Sequence, residues 1–487
     1  MREDIMDWVR GKYGCAASAG IYRKIALWED WWRGRCRGFH EYWENGATGG
    51  PVRRELYSLR MAKKVCEDWA ALLLNDRTYF HADGAAGAYL SAVFAAESFW
   101  ERSNHLVERA FATGTGACLL RLENAAVGEG GQLLAGEGMR VRFDFVDGGH
   151  IVPISVEGGR IVEAAFVSEL RYRGESYLYV EAHLREADGY VIRNRYFRVG
   201  EFGVDEADAG ADFPFAAVTA ELRTGSPYPF FAILTPNIQN AAEEGCGLGQ
   251  SVYADAIDCL KGVDLAFNNF CRDLKLGGKK VFINQSLVAR DEYGNAYTPD
   301  DVAQQLFVTV GDVDLAEHPL IEEHNPTLRT EENRAAVQSQ LDYLAFRCGL
   351  GTKHYLFGST DGRARLTATQ YMGERQDTRQ NIVKHTKNVT SYILAVTKPL
   401  LWLAVHRFGY ADVDEDAAIS IRYDDSYFTD TEADRERDLR EVSAGLMTRD
   451  EFRLRWYSDG RTGDEGNAAS CEDGRMRQHS SAWQELL

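Results

Sequence analysis

Residues 236–282, PNIQNAAEEGCGLGQSVYADAIDCLKGVDLAFNNFCRDLKLGGKKVF, are the stretch around which the rest of the chain is organised. Tyr253, Ile257, Leu260, Val263, Phe267, Phe270 and Leu274 follow one another at steps of three and four, which draws a single apolar stripe along a helix. Gly247 and Gly249 precede the stripe, with Ser251 as the expected N-cap. Gly277 and Gly278 follow it, with Arg272 and Lys275 in the last turn, where cations suit the carbonyl end of a helix. At the rise of an α-helix this predicts a rod of roughly 35–40 Å.

A second stripe, Val337, Leu341, Leu344 and Cys348, runs through residues 334–348 and ends at Gly349 and Gly351. The segment between the two helices, residues 279–329, reads as short strands and turns: KKVFIN, then QLFVTV, then PLIEEHNP. Two long helices joined through a small β module are an unusual arrangement for a compact enzyme.

These runs, together with NPTLRTEENRAAVQSQLDYLAFRCGLG and the later DDSYFTDTEADRERDLREVSAGLMTRDEF, resemble the portal proteins of tailed bacteriophages, in the branch typical of long-tailed phages of Gram-positive hosts. The similarity extends from about residue 25 to about residue 456. It implies an α+β, mainly helical portal fold. Residues 1–248 would form the wing, holding N-terminal helices and an antiparallel sheet at 117–202. The first stem helix would be 249–276, the clip 277–329 and the second stem helix 330–348. A tunnel loop would follow at 349–366, a long helix returning to the wing at 367–425, a helical crown at 426–457 and a disordered tail at 458–487.

The resemblance further implies a homo-oligomeric ring, usually a dodecamer, at one capsid vertex, through which double-stranded DNA passes without sequence preference. The expected partners are the terminase large subunit, a head-completion adaptor, and the major capsid and scaffolding proteins. The expected location is the virion, and the host cytoplasm during assembly. Lys353, His354, Arg363 and Arg365 would face DNA from the tunnel loop. Asp258, Lys261, Arg272, Lys275 and Asp342 would stand on the channel stem, and Lys279, Lys280, Arg290 and Asp291 would contact motor or adaptor from the clip. Two alternatives remain open at this point: a virion assembly or adaptor protein without a channel, and, remotely, a carbohydrate-active enzyme.

At 487 residues the chain is long enough for more than one packed region. Its formal charge of −19 argues against tight phosphate binding, which neutralises phosphates with Lys and Arg. Solubility explains such a charge, and an acidic conduit wall that lets duplex slide would also carry it. Nine cysteines without a C-x-x-C pair argue against a disulfide framework and against a Cys-rich zinc site. The opening MREDIMDWVRGKYG is charged and has no apolar run of the secretory type. The most apolar run, residues 393–405, is short for a membrane span and holds Lys398 and Pro399.

Along the chain, residues 1–43 read as helical, with Ile21, Ile25, Trp28 and Trp32 on one face. Arg33, Arg35, Arg37, Phe39 and Trp43 then interleave cations with aromatics, a pattern that suits nucleic-acid stacking or, more commonly, packed tryptophans beneath solvated arginines. Residues 54–75 and 89–112 read as two helices. At 139–202 the period changes to two, with hairpin signals at Gly158-Gly159 and Asp188-Gly189. The glycine-rich residues 124–138 read as a flexible loop. A long helix carries Ile382, Val389, Ile393, Val396, Leu400 and Leu403, with a kink or break expected at Pro399. ISIRY at 419–423 reads as a strand and 431–456 as a helix.

Enzyme signatures are not legible. TGTG at 113–116 lacks the phosphate-loop lysine and precedes a strand. His318 and His324 do not have the spacing of zinc ligands on one helix face. Asp412, Asp414 and Asp416 begin like a calcium loop, yet Ala417 stands where the glycine belongs. Asp424 and Asp425 beside Ser426 are imaginable as paired carboxylates but need no catalytic role. No cofactor is expected, and ATP hydrolysis for packaging is assigned to a separate terminase polypeptide.

Overall fold

The computed structural model of the chain describes residues 3–45, 50–75, 77–200, 203–207, 219–278, 280–284, 292–293, 307–310, 321–358, 368–423, 438–443 and 452. In chain order these form α1 (Glu3–Tyr13), α2 (Ala19–Trp32), α3 (Arg37–His40), β1 (Glu41–Asn45), β2 (Pro51–Glu55), α4 (Met61–Leu73), β3 (Tyr79–Ala82), α5 (Gly84–Ala96) and α6 (Phe99–Thr113). Strands follow: β4 (Gly116–Glu123), β5 (Ala126–Val127), β6 (Leu133–Leu134), β7 (Arg140–Asp147), β8 (Ile151–Glu157), β9 (Arg160–Tyr172), β10 (Glu175–Glu186), β11 (Gly189–Val199), β12 (Val204–Ala207), β13 (Glu221–Arg223) and β14 (Phe231–Leu234). The remainder is α7 (Ile257–Leu276), β15 (Lys280–Asn284), β16 (Phe307–Val310), β17 (Ile321–His324), α8 (Thr330–Arg347), α9 (Ala368–His406) and β18 (Ile419–Arg422). The fold is α+β. Contacts divide the chain into Met1–Asp424 and Asp425–Leu487; in the second unit residues 438–443 are helical.

The largest sheet is antiparallel in the order β12-β11-β10-β9-β8, with β13 also on β11. Its two-residue periodicity buries one face against α1, whose Ile5 and Val9 pack on Val152, Ala165, Val167, Val180 and Phe197. On the opposite face Phe166 and His183 meet Phe231 of a second sheet, β14-β4-β7, ring edge to ring face. Helices α6 and α9 pack on that second sheet. Tyr392 of α9 is fully buried there, 3.0 Å from the Ser103 hydroxyl of α6.

Several sequence expectations need correction. The predicted helix 89–112 is two helices, because Glu97–Ser98 interrupts it with Ser98 in the left-handed region (φ 48°). The helix expected over 54–75 begins only at Met61; residues 51–55 are strand β2 instead. Trp43 likewise lies in strand β1, not in a helix. The glycine-rich 124–138 segment carries the β5–β6 pair and buries Leu133. Helix α9 continues through Pro399 to His406, since Val396, Leu400 and Leu403 are buried on both sides of the proline and packing offsets the missing hydrogen bond. A stretch of α9, Thr378–His406, is long and apolar enough to cross a membrane, and most of it is buried as a core helix. The turn at Gly114, the strand after it, the hairpins at Gly158-Gly159 and Asp188-Gly189, and the strand at Ile419–Arg422 are as expected. The helix expected over 431–456 and the tail fall mostly outside the described residues.

Candidate functional site

The helix pair α7 and α8 is the structural feature the sequence singled out. A single 3-10 turn, Ala254–Ala256, precedes α7, so the α-helix proper starts at Ile257 and its twenty residues span about 30 Å, less than expected. Ser251 does not cap it. Its hydroxyl donates to the Phe111 carbonyl (3.2 Å), and Tyr253 is drawn into the core, where its hydroxyl donates to the Trp28 carbonyl (2.7 Å). The helix is therefore seated in the body by the residues before it.

The seam between the helices is formed by Leu260 and Val263 against Val337, Leu341 and Leu344, all buried. Farther along α7 the stripe is only half used: Phe267 and Phe270 are half-buried, and Leu274 is exposed. The seam is closed at the far end by Asp273, which accepts two hydrogen bonds from the Arg329 guanidinium (2.8 and 2.7 Å) and one from Asn333 Nδ2 (2.9 Å). Hydrogen bonds from Asn333 and Arg329 hold the Asp273 carboxyl below its ordinary range. Asn269, Arg272, Asp273, Arg329, Glu332 and Asn333 line an open groove of about 280 Å³. At the near end Arg347 donates to the Asp255 carbonyl (3.0 Å), so the helices run antiparallel.

Between these helices, β15 pairs antiparallel with β17 and parallel with β16, giving the order β16-β15-β17. The three strands match the three predicted runs.

The chain that follows α8 is fastened, not loose. Gly349 and Gly351 adopt φ of 79° and 76°, a left-handed turn that favours glycine, and the Gly349 and Leu350 carbonyls accept from Asn381 and Thr378 of α9 (3.0 and 2.7 Å). Gln338 of α8 reads the backbone beyond: its Nε2 donates to the Tyr355 carbonyl (2.8 Å) and its Oε1 accepts from the Phe357 amide (2.8 Å). Phe357 meets Phe267 and Phe270 of α7 edge-on. His354 Nε2 lies 3.3 Å from Asp68 of α4, which also binds Lys64. Although burial opposes it, hydrogen bonds from His354 and Lys64 lower the Asp68 carboxyl. The loop expected from residue 349 is therefore fastened over residues 349–357, and residues 359–367 lie outside the described residues.

Among the predicted stem residues, Asp258 and Lys261 pair at 2.9 Å on the open face of α7, and Arg272 and Lys275 are exposed. Asp342 is half-buried and accepts a hydrogen bond from Gln338 Nε2 (2.7 Å). Lys353 is exposed with φ 61°; His354 is largely covered; Arg363 and Arg365 lie outside the described residues. Lys280 pairs through its backbone with His324, while Lys279, Arg290 and Asp291 lie outside the described residues.

Sequence reading missed the polar clasp on α7. Asp264 is nearly sealed from solvent, 3.0 Å from His40 Nε2, and its other oxygen accepts from the Leu59 amide (2.8 Å). One turn on, Asn268 accepts from the Tyr57 amide (2.9 Å) and donates to the Tyr57 carbonyl (2.7 Å). The only available signal was a carboxylate directly after Val263 on the buried stripe. Burial pushes the thiols of Cys66, Cys118 and Cys348 well up, which makes them inert core residues. Among the described residues no group of His, Cys, Asp and Glu is arranged to hold a metal ion.

No protein-family model matches the chain, and no curated protein matches it.

Proposed function

We propose that the chain is a phage portal protein, a subunit of the ring-shaped channel through which double-stranded DNA enters and leaves the capsid and to which the tail is joined. One observation carries the reading: the antiparallel pair α7 and α8 holds a three-stranded module between its members, and the chain leaving α8 is tied back onto both helices by Gln338 and Phe357. Such a pair suits repetition around an axis, since head-to-tail contacts between identical flanks close a ring.

In this role α7 and α8 are the stem and residues 277–329 the clip. Asp258, Lys261, Arg272 and Lys275 stand on the channel wall. Lys353, with Arg363 and Arg365, makes weak and sequence-blind phosphate contacts from the loop, as sliding requires. Lys279, Lys280, Arg290 and Asp291 meet the terminase motor or the adaptor. The exposed Tyr343 and Phe346 of α8, 65% and 57% open, and Leu265 of α7 are apolar groups that a neighbouring subunit would cover. ATP is hydrolysed by the terminase, not by this chain.

Electron microscopy of the purified protein tests the proposal. Rings with a central hole wide enough for duplex are expected. A monodisperse monomer at every concentration, or turnover by a clean preparation on a panel of ATP and glycans, contradicts it.

A further inference from the structure

The ribbon β1–β2 has no part in the role just described. Its register pairs Tyr42 with Arg54, Trp43 with Arg53 and Glu44 with Val52, so Tyr42, Glu44, Val52 and Arg54 share one face and Trp43 and Arg53 lie on the other. Both faces are open. Every described residue from Tyr42 to Glu55 is exposed, and Trp43 is 69% accessible. A two-stranded ribbon with no covered face is marginal in water, and an indole left in solvent forgoes a large hydrophobic contribution.

The root of the ribbon is the opposite of its blade. The chain enters it at His40, fixed on Asp264, and leaves it at Tyr57 and Leu59, fixed on Asn268 and Asp264. Both ends are thus held on one flank of α7, within two helical turns that also expose Leu265.

Charge indicates the partner. Residues 29–55 hold Arg33, Arg35, Arg37, Arg53 and Arg54 against Glu29, Asp30, Glu41, Glu44 and Glu55, a balanced set on a chain of formal charge −19. Ion pairs join Arg33 to Glu29, Arg35 to Glu55, Arg53 to Glu41 and Arg54 to Glu44. Nucleic acid would need cations not already engaged by carboxylates. Copies of an acidic chain repel one another, and they approach at least cost where the surface is internally neutral and apolar groups are exposed.

We infer that the ribbon is an arm that lays Trp43 on a second copy of this chain. The inference rests on the ring proposed above, to which it adds a contact outside the α7–α8 flanks.

The test uses the full chain with the photo-crosslinker benzoylphenylalanine incorporated at position 43, irradiated and run under denaturing conditions, with the same sample imaged by electron microscopy. Bands at multiples of the chain mass are expected. Rings accompanied by monomer bands alone overturn the arm and leave the ring standing; multimer bands without rings support the arm and overturn the ring; neither rings nor bands overturns both. Adducts to co-purified nucleic acid in place of protein multimers also overturn the arm. Separately, Trp43→Ala is expected to raise the concentration for half-assembly about tenfold or more in sedimentation, with Trp43→Phe recovering most of the loss. The melting temperature of the unassembled chain should not change. Unaltered assembly of Trp43→Ala overturns the inference.

Discussion

His40 Nε2 lies 3.0 Å from Asp264 Oδ2 across more than two hundred residues of sequence, and both side chains are almost closed to solvent. The imidazole is held from behind as well. Its Nδ1 sits 3.0 Å from the Cys36 amide nitrogen and 3.1 Å from the Cys36 carbonyl oxygen, so both ring nitrogens are engaged. The carboxylate thereby links α3, the segment after β2 and helix α7.

Removing one member of this pair leaves the other buried without its partner. Asp264→Ala, which also strands the Leu59 amide, is expected to destabilise the chain by about 3–5 kcal/mol. His40→Ala should cost less, because Asp264 retains Leu59. Urea unfolding of both single variants and the double variant measures this. A double variant whose loss equals the sum of the single losses would show that the two side chains do not interact.

The ring of His385 accepts a hydrogen bond from the Asn237 amide at Nδ1 (3.0 Å) and is enclosed by Trp69 and Phe111, with Lys384 adjacent. Burial, reinforced by Lys384, lowers its pKa to about 3. The sign follows: between the ordinary histidine value and about 3 the unfolded chain takes up a proton that the folded chain refuses. This residue therefore costs nothing at neutral pH and destabilises increasingly as pH falls, approaching about 1.4 kcal/mol per pH unit. In urea unfolding from pH 7 to pH 4.5, His385→Asn should lose less stability on acidification than the parent. Parallel pH profiles would refute the assignment.

The sequence made the α7–α8 seam legible because helical periodicity survives in Leu260, Val263, Val337, Leu341 and Leu344, which are all buried. The strands at 140–199 were legible for the same reason at period two. Periodicity does not report what covers a stripe, so Leu274 looked equivalent to Leu260 although only Leu260 is buried. Nor does it report polar bonds across long sequence separation. Nothing in the sequence pairs Asp264, Gln338 and Asp68 with His40, Tyr355 and His354, and only the fold brings them together. For the loop, glycine content suggested mobility from residue 349, whereas Gly349 and Gly351 serve a turn that α9 fastens.

Gln338 ties the Tyr355–Phe357 backbone to α8 with two hydrogen bonds, and Phe357 presses that segment onto α7. Gln338→Ala is expected to cost about 1–3 kcal/mol, concentrated in this segment, since a half-buried amide and carbonyl lose their partners. Hydrogen exchange at residues 350–358 should accelerate while exchange in the α7–α8 seam stays slow. Equal acceleration in both regions would mean that Gln338 supports the helix pair and not the loop root.

Gly114 and Gly249 meet backbone to backbone where the turn before β4 passes the segment leading into α7. A Cβ on Gly249 would stand 2.2 Å from the Gly114 carbonyl oxygen and 3.0 Å from Thr235 Cβ, and one on Gly114 would stand 2.5 Å from the Gly249 carbonyl oxygen. Neither contact is with the end of a flexible side chain, so the backbones must separate. That movement pulls on the Gly249 amide, held by the Thr115 hydroxyl (2.9 Å), and on Ser251 and Tyr253, which seat α7 in the body. Gly249→Ala is therefore expected to destabilise by about 1–3 kcal/mol through overpacking alone, lowering the melting temperature by several degrees. Gly245→Ala provides the contrast: no atom lies within 4 Å of its added Cβ, so its cost is confined to its left-handed φ of 80°. If thermal unfolding ranks Gly245→Ala as the more damaging of the two, close approach is not what fixes the start of α7.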